Sequence, residues 1–66
     1  MPTIFFYGPE LEDGKKKELI ESFTETASRL TGIDTSAFVV YLRLCSPDNV
    51  GVGGELLNER LDRGKQ

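Results

Sequence analysis

Two short apolar runs, separated by a single helix-length repeat, constrain this chain more than anything else in it. Pro2-Thr3-Ile4-Phe5-Phe6-Tyr7 and Ala37-Phe38-Val39-Val40-Tyr41-Leu42-Arg43-Leu44-Cys45 are dense in β-branched and aromatic residues, the types that fit a pleated surface. Gly8-Pro9 stops the first run. Between the runs, Leu19, Ile20, Phe23, Ala27 and Leu30 recur at intervals of three and four, the period of one helix face. The spacing predicts a helix over about 14–31, with Asp13 as its N-cap and Gly32 as its stop. Lys17/Glu21 and Glu25/Arg29 lie one turn apart on its outer side. A strand, a helix of this length and a second strand make a right-handed βαβ unit with parallel strands. The expected fold class is therefore α/β (α+β), a single β-α-β domain over residues 1–66.

The remainder is shorter and less regular. Ile33 to Ser36 forms the return to the second strand, and Ser46-Pro47-Asp48-Asn49 is a turn by composition. The glycines of Val50-Gly51-Val52-Gly53-Gly54 suit a backbone at positive φ or in close approach, as in a short hairpin docked on a neighbour. Glu55 to Arg63 has a helical flavour through Leu56, Leu57 and Leu61, as one or two turns or an arm. Gly64-Lys65-Gln66 should fray.

One helix covers only one face of a sheet. Near-continuous apolar strands imply burial on both faces, so the second face awaits another subunit. Chain length gives the same answer. Burying ~60% of ~10,700 Å² of unfolded surface contributes ~100 kcal/mol, and ordering 66 residues costs about the same. The single cysteine closes no disulfide within the chain, and the sequence has no histidine and no metal-ligand cluster. The staple that remains is oligomerisation.

Other function classes recede on simple grounds. A formal net charge of −3 argues against general nucleic-acid binding, and Lys15-Lys16-Lys17 reads as a solvated helix face or, alternatively, as a local patch that presents a cation to an anion. The apolar stretches are too short to span a bilayer and the N-terminus has no leader-like pattern, so a cytoplasmic protein is expected. No cofactor is expected. Tyr7 and Tyr41 read as core or interface residues, Cys45 as a small buried hydrophobe, and Glu10, Glu12 and Asp13 as a solvated loop.

Pro2 stands apart. Inside a chain its nitrogen is an amide, but once Met1 is removed it becomes a secondary amine able to accept and return a proton near neutral pH. A small residue at position two permits that trimming. If Met1 stays, the nitrogen is acylated and the chemistry is closed.

Taken together, the Met1-Pro2 strand, the amphipathic helix, Thr35-Ser36 entering strand two and the Asn49-Val50-Gly51-Val52-Gly53-Gly54-Glu55 segment resemble the 4-oxalocrotonate tautomerase family. The likeness spans nearly the whole chain. It implies a β-α-β protomer paired into dimers, three dimers forming a hexamer, with Pro2 as the catalytic general base and acid acting on a small keto or enol acid. The family's two substrate-binding arginines fall at Leu11 and Phe38, and its aromatic pocket wall falls at Val50. These uncharged residues would line the substrate pocket and imply weak activity on dicarboxylates. Arg43 is the nearest cation in the strand, but its odd spacing from Phe38 puts the two on opposite faces. It reads either as an anion contact or as an interface or surface ion pair, and Arg60 and Arg63 could reach a neighbour from an arm. The functional readings are thus an isomerase of tautomerase type or, alternatively, a non-catalytic oligomeric binding module that retains the fold.

Overall fold

The computed structural model describes residues 1–64, with side-chain surroundings through Asp62. Strand β1 (Thr3–Gly8) leads into helix α1 (Asp13–Thr31), and strand β2 (Val39–Leu44) returns parallel to β1. The register runs from Thr3 opposite Val39 to Gly8 opposite Leu44. The Val39 N–H donates to the Pro2 carbonyl at 3.0 Å and the Cys45 N–H to the Gly8 carbonyl at 2.8 Å, which closes both ends of the ladder. The expected parallel βαβ unit is present.

Alternation along the strands separates two faces. Ile4, Phe6, Val40 and Leu42 are half-buried, and the Phe6 and Phe23 rings meet at 5.7 Å between sheet and helix. Phe5, Tyr7 and Tyr41 point the other way, and the Phe5 and Tyr41 rings stack at 5.0 Å. That face has no covering element among the described residues. Among the described residues no side chain is buried, and 5214 Å² is accessible against ~4,200 Å² for a compact chain of this mass. The radius of gyration of 15.5 Å compares with ~11 Å for a compact domain.

Several local expectations are corrected. Asp13 is not the N-cap: Glu12 holds that position without a side-chain bond, and the Asp13 carboxylate pairs with Lys16 at 3.4 Å inside the first turn. Leu30, expected on the buried stripe, is 72% exposed. The helix spans 19 residues and so runs about 28 Å, beyond a strand of about 20 Å, so its last turn overhangs the sheet. Strand two starts at Val39 rather than Ala37, because Thr35–Ala37 forms a 3-10 turn capped by Asp34. Cys45 is exposed because alternation sets it with Tyr41 and Arg43 on the face that the helix does not cover.

Gly32, at φ 76°, ends α1 as expected, its N–H bonding to the Ser28 carbonyl at 2.9 Å. The glycine segment forms a hairpin of β3 (Gly51–Val52) and β4 (Glu55–Leu56). Its loop residues Gly53 and Gly54 sit at φ 61° and 81°, the mirror-image turn that fits strand twist. Helix α2 (Leu57–Gly64) follows directly. Lys65 and Gln66, expected to fray with Gly64, lie outside the described residues, as does the side chain of Arg63.

Candidate functional site

The candidate residues fall at the two ends of the sheet. At the amino end of the strands, Pro2 is half-buried and held by the Val39 bond to its carbonyl, which sets it beside extended, half-buried Phe38. Met1 is 91% exposed, so the peptide bond that blocks the Pro2 nitrogen lies at the surface. Leu30, in the last turn of α1, and Ile33 (41% exposed), just after it, are also exposed apolar side chains. Neither residue stood out in the sequence as a site residue, because a helical wheel does not show where the strands stop.

Asp34 organises the approach to Phe38. Its carboxylate accepts from the Ser36 hydroxyl and from the Ser36 N–H at 3.0 Å. Those two bonds, the hydroxyl first, hold its carboxyl below the usual aspartate range. The turn they fix delivers Phe38 at φ −87°, ψ 143° into the ladder.

At the carboxyl end, Leu11 follows Gly8-Pro9 out of β1, and Val50 sits where the hairpin leaves β2. The Leu57 N–H bonds to the Val50 carbonyl at 2.7 Å, which ties α2 to that junction. Leu11 and Val50 are half-buried. The strand runs to Gly8, six residues beyond Pro2, which puts Pro2 about 20 Å from this end. Within one chain, therefore, Pro2 and Phe38 come together while Leu11 and Val50 belong to the opposite end. Arg43 is exposed on the uncovered face opposite Tyr7 and makes no ion pair among the described residues. Arg60 approaches Glu55 at 3.9 Å within its own arm.

An open cleft of about 530 Å³ lies beside Leu11. Phe6, Pro9, Leu11 and Leu19 give it an apolar lining, and Lys15 and Glu18 bring charge to it. Among the described residues no group of three or more His, Cys, Asp or Glu is placed to hold a metal ion, and no helix is long and apolar enough to cross a membrane.

A family profile described as Tautomerase enzyme matches residues 2–60. The chain belongs to this tautomerase family. Its match begins at Pro2 and ends inside α2, so it covers both ends of the sheet and the hairpin. Among solved structures, the chain is similar to DmpI from Archaeoglobus fulgidus at 40% identity and a TM-score of 0.79, covering 86% of this chain and 98% of that one. It is also similar to TomN, a 4-oxalocrotonate tautomerase homologue of the tomaymycin biosynthetic pathway, at 26% identity and a TM-score of 0.86, covering 92% and 95%. A heterohexameric 4-oxalocrotonate tautomerase from Chloroflexus aurantiacus shares the fold at 18% identity and a TM-score of 0.81, covering 89% and 97%. No curated protein matches the chain significantly. Membership supports an activity of tautomerase, and so isomerase, type.

Proposed function

We propose that this tautomerase works with Met1 removed, and that the Pro2 amine moves a proton within a small unsaturated keto or enol acid. The observation that carries the reading is the family match beginning at Pro2, together with the half-buried place of Pro2 beside Phe38. The neutral amine takes one proton from the substrate and leaves a conjugated enolate. The ammonium so formed returns the proton at another carbon, so atoms and charge balance with no cofactor. Apolar surroundings work against the ammonium form and favour the free base.

The pocket is shared between copies in this reading. Pro2 and Phe38 come from one chain, and Leu11 and Val50 from another, because about 20 Å of strand separates the two sets within a chain. The uncovered face with Phe5, Tyr7 and Tyr41 supports a homo-oligomer, as a dimer and then a hexamer. Arg43, unpaired on that face, meets an anion at the contact between copies. Leu11, Phe38 and Val50 offer no charge, so dicarboxylates are poor substrates.

Intact mass and ketonisation of phenylenolpyruvate test the proposal. The expected result is a chain lacking Met1, with kcat/KM about 10²- to 10⁴-fold lower in Pro2→Ala. A retained Met1, or equal activity in Pro2→Ala, refutes it. A trimmed chain with an inert amine favours the non-catalytic module.

A further inference from the structure

The cleft beside Leu11 has a wider lining than the uncharged wall that the proton-transfer reading gives it. It opens outside the carboxyl end of β1, the end of a parallel strand where α/β sheets generally hold ligands. Its volume of about 530 Å³ falls in the range of small-molecule sites, which pair an apolar lining with few polar groups. The lining is apolar through Phe6, Pro9, Leu11 and Leu19, and among the described residues Lys15 is the cation that lines it.

The three lysines in sequence are not equivalent in space. Lys16 is engaged by the Asp13 carboxylate at 3.4 Å, and Lys17 does not line the cleft. Lys15 reaches Glu18 only at 3.8 Å, with both side chains about 70% exposed. Such an exposed pair is weak and exchanges readily for another carboxylate. An acid with an aromatic or branched body places that body on Leu11, Leu19 and Phe6 and its carboxylate on Lys15, in competition with Glu18.

We propose that this cleft binds a small apolar monocarboxylate, with Lys15 as its counter-charge and Glu18 as an internal competitor. The inference deepens the reading above by naming the substrate class, an acid with one carboxylate that Pro2 of a second copy would meet.

The test is a titration of the full chain, in its native assembly, followed by amide NMR with cinnamate and with the uncharged cinnamamide. Cinnamate is expected to shift the amides of Leu11, Lys15 and Leu19 saturably, with cinnamamide weaker by about fivefold or more. Lys15→Gln weakens cinnamate by about five- to tenfold and Lys15→Arg restores it, whereas Glu18→Gln tightens it by about twofold. The opposite signs at Lys15 and Glu18 separate a ligand contact from a merely structural ion pair, which both variants would break alike. Absence of saturable shifts at Leu11 and Leu19, equal binding of acid and amide, or cinnamate indifferent to Lys15→Gln overturns the inference. Binding is read without turnover. An inert Pro2 with intact cinnamate binding removes the proton-transfer reading and leaves the site, and Pro2-dependent turnover with no binding here does the reverse.

Discussion

Replacing Phe5 by alanine should dissociate the proposed assembly of copies, and the structure sets the scale. Phe5 is 57% exposed on the face opposite the helix, stacked on Tyr41 at 5.0 Å, with Tyr7 nearby at 73% exposure. A phenylalanine presents roughly 200 Å², so about 110 Å² of Phe5 awaits cover. At ~25 cal/mol/Å² that surface is worth about 3 kcal/mol per protomer when a second copy covers it. Alanine keeps part of the area, leaving an expected loss of about 2 kcal/mol per protomer. A two-fold contact uses the residue twice, so its dissociation constant rises by about a thousandfold.

Sedimentation velocity over a concentration series reads this directly, with thermal melts at two concentrations as a second observable. Wild type should remain assembled at micromolar concentrations and melt higher when more concentrated, because folding and association are linked. Phe5→Ala should dissociate at concentrations where wild type holds, whereas Glu25→Ala on the exposed side of α1 should not. Wild type sedimenting as a single chain with a concentration-independent cooperative melt would refute the reasoning. So would a Phe5→Ala assembly as tight as wild type.

Two further predictions concern the elements that position the site. Gly54 has φ 81° and open space where a side chain would stand, so Gly54→Ala should destabilise the hairpin by about 1–2 kcal/mol through backbone strain alone. D-alanine introduced there by chemical synthesis should be tolerated in a denaturation series, and equal loss from both enantiomers would contradict that cause. Asp34 ionises below its usual range because the Ser36 hydroxyl and N–H bond to the carboxylate, so its contribution is complete above the unfolded pKa and disappears as pH falls through the folded one. The stability gap between wild type and Asp34→Ala should therefore be constant from neutral pH to about 5 and shrink below about 4. Denaturant titrations at several pH values check it, and a gap that persists at pH ~2 counts against the assignment.

Local chemistry wrote the elements of this fold into the chain. Apolar runs gave the two strands, a three-and-four repeat gave α1, and Gly32, Gly53 and Gly54 gave the helix stop and the hairpin turn, since only short-range sterics were needed. The amine chemistry available to Pro2 likewise follows from its covalent position. What the sequence did not show was governed by lengths and by neighbours distant in the chain. Leu30 has the periodicity of a core residue and is exposed because the helix outruns its sheet. Cys45 is apolar enough to bury and is exposed because the pleat turns it to the face that the helix leaves uncovered. Lys15, Lys16 and Lys17 look alike in a row, and only the placement of Asp13 and of the β1–α1 loop distinguishes Lys15 as the cation beside an apolar cleft. The pairing of Pro2 with Phe38 is likewise tertiary. Parallel strands bring the starts of β1 and β2 together and leave Leu11 and Val50 at the opposite end, and that geometry makes a second copy part of the proposed site.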